Sequence, residues 1–192
     1  DHAGNGESVA AWDPQRHASL AGYAQDLLEV LDDAGLEEVV CVGHSIGSII
    51  MMLAAIAEPR RFSKLFFLCP SPRFLNDPPD YRGGFERSDL EGLFQLMESN
   101  HFGWAQFLAP LAIGEHNPVA LTREFEQSLR ALEPRIAQHF ARLVFHVDVR
   151  DRLQELRCPA VIVQCLADSI VPVEVGRWMH RHLPASDLLE LP

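Results

Sequence analysis

No apolar run in these 192 residues approaches the roughly 20 needed to cross a bilayer. The opening residues also lack a basic stretch followed by an apolar one. The expected location is the cytoplasm. Basic residues are scarce, 16 Lys and Arg against 27 Asp and Glu, for a formal net charge of -11. Such a surface repels phosphate backbones and anionic headgroups, so neither nucleic acid nor membrane is an expected partner. Cysteine is limited to Cys41, Cys69, Cys158 and Cys165, with no Cys-x-x-Cys spacing. That absence argues against a zinc knuckle or a dithiol redox motif, and the apolar neighbours read as buried thiols in a reducing compartment. What remains is ordinary globular composition, 47% hydrophobic and 22% charged, enough for one domain with one core.

The pattern along the chain alternates. Ser19 can cap a helix whose apolar positions Leu20, Tyr23, Ala24, Leu27, Leu28 and Leu31 repeat every 3.6 residues, with Gly35 placed to end it. The run EVVCVG from Glu38 is apolar on both faces and predicts a central parallel strand, followed by a helix from Ser45 to Ala57 that closes near Pro59. KLFFLC (Lys64 to Cys69) and AVIVQC (Ala160 to Cys165) repeat the buried-strand pattern, and LLEL (Leu188 to Leu191) repeats it more weakly. An amphipathic helix from Val173 to Leu183 lies between the last two. Strands alternating with helices imply a parallel, doubly wound α/β sheet. Residues 1–69 and 158–192 form the parts of the core present here. Residues 70–157, turn-rich and then helical and aromatic, read as an insertion between two strands. Its rings are either plain core or, taken together, the lining of an apolar pocket beneath a lid.

The string GHSIG, Gly43 to Gly47, sits where the strand gives way to the helix. A serine-capped helix after a tight turn would give the same letters. In this setting, however, Gly-x-Ser-x-Gly is the pattern of a nucleophile elbow, a strained turn that stands the serine hydroxyl clear of the sheet. Gly43 and Gly47 would lack side chains so that neighbouring backbone can pass close. Ser45 is then a candidate nucleophile, and the backbone N–H of Ile46, at a helix N-terminus, is aimed at any oxyanion formed on a bound carbonyl.

A serine needs a base and an orienting carboxylate, in this topology in the order Ser, Asp or Glu, His. Asp168 fits the second role, in the loop after a buried strand, although a loop aspartate can also be only a turn former. The histidine is harder to find. His180 and His182 lie inside the amphipathic helix, two residues apart on different faces, and read as surface residues. His44 reads as structural, and His101, His116, His139 and His146 precede Asp168. No histidine follows His182, so the base is missing from this sequence.

The stretches DHAGNGES, VGHSIGSII, FSKLFFLCPSPRFLNDPPDYRGGFE, NHFGWAQFLAPLA and VIVQCLADSIVPVEVG occur in this order. Together they resemble the α/β-hydrolase family, and within it the small serine hydrolases of RsbQ type, relatives of the karrikin and strigolactone receptors of plants. The resemblance implies an α/β-hydrolase fold with a helical lid inserted between strands. It implies Ser45 as nucleophile, Asp168 as triad acid and Ile46 as oxyanion donor, with Phe74, Phe85, Trp104, Phe140 and Phe145 around a hydrophobic cavity. It implies no metal and no organic cofactor. The expected function is hydrolysis of a small hydrophobic ester. The alternative is a module that binds a small hydrophobic ligand and engages a partner phosphatase in stress-response regulation. Members of this family carry strands and an oxyanion loop ahead of the DHAGNGES stretch and a Gly-His step after the last strand. Neither is in this sequence. The expectation is therefore an internal fragment with its histidine a few positions beyond Pro192, inactive by itself.

Overall fold

The computed structural model describes residues 1–114 and 117–192; His116 lies outside them. Four parallel strands form one sheet in the order β1 (Val39–His44), β2 (Phe62–Leu68), β3 (Ala160–Cys165) and β4 (Ser186–Leu191). Helices α1 (Leu20–Asp33) and α2 (Ile46–Ala57) precede β2, and α7 (Val173–His182) joins β3 to β4. Between β2 and β3 lie α3 (Arg87–Ser99), α4 (His101–Ile113), α5 (Val119–Arg130) and α6 (Pro134–Phe145).

The helix ends follow from backbone chemistry. Past α1, Gly35 has φ 62° and its N–H bonds Asp32, while the Leu36 N–H reaches Leu31, which satisfies carbonyls that the helix leaves open. Ser19 stands at the start of α1 as expected, but its side chain makes no capping hydrogen bond. That end is held instead by His17, fully buried, whose Nε2 lies 2.8 Å from Asp26, in the second turn of the helix.

The sheet has two unlike faces. Leu65, Phe67 and Ile162 are fully buried beneath the helices, and Gln164 on the same side meets Gly176 of α7. On the opposite side Val40, Val42 and Leu189 are 61%, 63% and 51% exposed, with Phe66, Val161 and Val163 half-buried beside them. The sequence predicts β1 as a central strand buried on both faces. In the structure it is one of two edge strands, and its face carrying Val40 and Val42 is left uncovered.

The two ends of the inserted region are tied to each other by charge. Asp148 pairs with Arg73 and Arg150, and Arg150 also reaches Asp77 at 2.8 Å while its guanidinium lies 5.0 Å from the centre of the Tyr81 ring. Burial pushes the Asp148 carboxyl up, but hydrogen bonds from Arg150 and Arg73 outweigh it and hold the group below its ordinary 3.8. A carboxylate with a depressed pKa stabilises the fold above its unfolded pKa and loses that contribution as pH falls through the folded one. Asp148→Asn is expected to cost about 1 kcal/mol at neutral pH, a modest figure for a partly exposed network. The gap between variant and parent should close below about pH 4, read by thermal melts across pH.

Candidate functional site

Ser45 occupies the turn from β1 into α2 with φ 52° and ψ -124°, a region that non-glycine residues rarely enter. The turn is fixed on both sides. The Ser45 N–H donates to the Leu68 carbonyl at 2.8 Å, and the buried Ser48 hydroxyl donates to the Gly43 carbonyl at 2.7 Å. A Cβ on Gly43 would stand 2.8 Å from the backbone of Gly47 and of Ser48, so only glycine allows α2 to cross β1 this closely. Gly47 differs from expectation: a Cβ there would meet nothing nearer than the His2 ring at 3.9 Å. The close approach needs one bare glycine, and the backbone of Gly47 is what Gly43 accommodates. Ile46 opens α2, and the N–H of a first helical residue has no acceptor within the helix.

Asp168 lies three residues past β3, at the same carboxyl edge of the sheet as Ser45. Its Oδ1 accepts the N–H groups of Ile170 at 2.8 Å and Val171 at 2.9 Å, a tight turn closed by its own side chain. Gln164, fully buried at the end of β3, donates to the Val171 carbonyl at 3.0 Å. From the other side comes the PRFLNDPPDYRGGFE loop, which folds on itself through Asn76 N–H to Phe85 at 2.9 Å and Gly84 N–H to the Asn76 side chain at 2.9 Å. Gly84, with φ 111°, lies where a Cβ would be 2.9 Å from Pro172 and 3.3 Å from the Ile170 carbonyl. Gly83 is pressed equally hard on the backbone of Phe74 and Leu75. Gly84 wedges the inserted loop against the turn that carries Asp168, and Gly83 lets that loop close on itself. Nothing in the spacing of the sequence joins residue 84 to residue 172.

Ser45 follows β1 and Asp168 follows β3, with β2 between the two strands, so both stand at the same carboxyl edge of the sheet. Among the described residues no histidine is hydrogen-bonded to either. His17 is held by Asp26, His101 by Leu129, His139 by the His17 carbonyl and His146 by Arg142. His180 meets Ser186 at 2.9 Å, and His182 stacks on Trp178 at 3.7 Å, so both are half-buried structural groups rather than free surface residues.

The five aromatic residues expected around a cavity occupy three places. Phe74 and Phe145 meet at 5.2 Å between ring centres, and Phe85 joins them at 6.4 Å and 5.5 Å. Trp104 is buried in α4 against His101 at 5.4 Å, and its indole N–H has no partner. Phe140 packs on Tyr23 at 5.2 Å, where α6 meets α1. A separate hollow of about 620 Å³ flanks the elbow, lined by His2, Tyr23, Val42, Gly43, His44, Gly47 and Met51 among others. Burial lowers the His2 pKa within it. No cluster of His, Cys, Asp and Glu that could hold a metal ion occurs among the described residues, and none of their helices is long and apolar enough to cross a membrane.

A family model for the alpha/beta hydrolase fold matches residues 1–192. The chain is 41% identical over 180 residues to a probable esterase of Oryza sativa subsp. japonica, covering 94% of this chain and 66% of that protein. It is 38% identical to the karrikin insensitive 2 receptor IA of Petunia hybrida, covering 94% of this chain and 65% of the relative. A solved hydrolase from Oleispira antarctica superposes with a TM-score of 0.97 at 40% identity, over all of this chain and 71% of that one. The chain thus spans just under two thirds of the length of the curated relatives it matches.

Proposed function

The chain belongs to the alpha/beta hydrolase fold family, and from that premise we propose that Ser45 and Asp168 are nucleophile and acid of a Ser-Asp-His hydrolase for a small hydrophobic ester. One observation carries the reading most of the way: a serine, not a glycine, held at φ 52° at the carboxyl edge of the sheet by the Leu68 carbonyl. Backbone strain at a side chain of this kind is retained where the surroundings over-determine it, and it leaves the hydroxyl free to attack.

The chemistry follows from the layout. Ser45 Oγ attacks the ester carbonyl while a histidine takes its proton, and the Ile46 N–H stabilises the oxyanion that forms. Collapse of the tetrahedral species expels the alcohol and leaves an acyl group on Ser45, which water then removes with the same base. Asp168, its Oδ1 occupied by two backbone N–H groups, offers the rest of its carboxylate to orient the imidazole. Among the described residues no histidine is hydrogen-bonded to Ser45 or Asp168. Phe74, Phe85 and Phe145, which pack together on the inserted region, would give the apolar part of the ester a wall, while Trp104 and Phe140 pack elsewhere.

The name of the Petunia relative, a receptor, favours a second reading. On that reading the same pocket binds a small hydrophobic signal, and the occupied protein engages a partner phosphatase of a stress response, as in RsbQ-type proteins. Partner binding that survives Ser45→Ala would favour a scaffold; binding that requires Ser45 would favour signalling coupled to hydrolysis.

The 192-residue chain alone is expected to hydrolyse p-nitrophenyl esters no faster than buffer. Hydrolysis that disappears with Ser45→Ala would show that a base is already present. In a chain extended to its relatives' length, a fluorophosphonate probe is expected to label Ser45, and failure to label would overturn the hydrolase reading.

A further inference from the structure

Two cysteines converge on the turn that carries Asp168. Cys69 is the residue after β2 and Cys165 the last residue of β3, on neighbouring parallel strands. Leu68 pairs with Val163, and the Cys69 N–H continues the ladder to the Val163 carbonyl at 2.8 Å. The two cysteines are thus offset by one residue across a single strand spacing, about 6 Å between α-carbons, inside the range a disulfide spans. The backbone at Cys69 leaves the strand with φ 45°. Its side chain turns toward the Cys165 side chain and the Asp168 carboxylate. Both cysteines are partly exposed, whereas Cys158 is buried with its Sγ 3.4 Å from the Phe62 carbonyl.

We infer that Cys69 and Cys165 are an oxidisable dithiol at the acid loop, which a hydroperoxide converts to a disulfide beside Asp168. Burial and the Asp168 charge keep the Cys69 thiol protonated, pushed up to about 12, so Cys165 is the sulfur that reacts first. Its thiolate attacks the peroxide O–O bond and becomes a sulfenic acid, and the alcohol leaves. The Cys69 sulfur then attacks the sulfenyl sulfur, its proton goes to the departing hydroxide through the neighbouring carboxylate, and water is released. Two thiols and one hydroperoxide thus give one disulfide, one alcohol and one water. The cross-link takes away the thiol proton facing Asp168 and ties the acid loop to β2. It depends on the positions of the two sulfurs, not on the hydrolase reading.

Native chain treated with tert-butyl hydroperoxide, alkylated and digested with trypsin tests this. The expected product joins peptides 65–73 and 158–177, lighter by two hydrogen atoms, with fragmentation placing the bond on Cys165 and not Cys158. In Cys69→Ser, dimedone should trap Cys165 as sulfenic acid; in Cys165→Ser, Cys69 should stay untrapped. The same treatment in guanidinium should scatter the bonds over all four cysteines. Absence of the 69–165 link in the native chain, or the same scatter as in guanidinium, would overturn the inference.

Discussion

In a chain extended to supply the histidine, Ser45→Ala is expected to lower kcat/KM for ester hydrolysis by about 10⁴-fold or more, because a triad loses nearly all its advantage when one member goes. The melting temperature should barely move, since alanine must adopt the same φ of 52°. Ser45→Gly separates chemistry from strain. It should lose the same activity yet gain about 1 kcal/mol, the relief of a left-handed residue less the entropy that glycine adds to the unfolded chain. For a domain of this size that is roughly 2–4 °C in Tm. A Ser45→Gly variant that melts below the parent would contradict the strain on which the nucleophile assignment rests.

The second large effect is expected at Gly43. An alanine there drives its Cβ to 2.8 Å from the backbone of Gly47 and Ser48, and backbone cannot swing aside as a flexible side chain can. The cost should reach about 3 kcal/mol, or a fall of roughly 5–10 °C in Tm. The buried hydrogen bond from Ser48 to the Gly43 carbonyl would shift with it. Gly47→Ala makes the contrast. It has room and a helical position, so it should be neutral or stabilising by up to about 1 kcal/mol. Equal losses at the two glycines, measured by denaturant unfolding, would refute the asymmetry.

That asymmetry shows what the sequence could and could not disclose. The elbow was legible because a β-branched run, a Gly-x-Ser-x-Gly string and a helical pattern are all local, and the expected α/β-hydrolase fold is the one that the family and the solved hydrolase share. AVIVQC coincides with β3 residue for residue. The strand EVVCVG was readable as a strand but not as an edge, because edge position depends on which strands lie beside it. The glycine wedge on Pro172 and the thiol pair at Asp168 join residues about 90 apart, and no periodicity encodes a meeting of that range. The aromatic residues divide in the same way. Phe74, Phe85 and Phe145 do come together, while Trp104 and Phe140 go to separate neighbours chosen by packing.

The bare side of the sheet governs how this chain behaves in a tube. Val40, Val42 and Leu189, with Phe66 and Val163 between them, make a greasy panel bounded by strand edges whose N–H and C=O groups await pairing. Two such panels can stick face to face, or one edge can template another, so colloidal behaviour becomes a property of the fold. The 192-residue chain is expected to brighten anilinonaphthalene sulfonate while still showing native circular dichroism, and to self-associate as its concentration rises. Lysine at Val42 should suppress both, with little loss of helical signal, because its outward side chain supports no core.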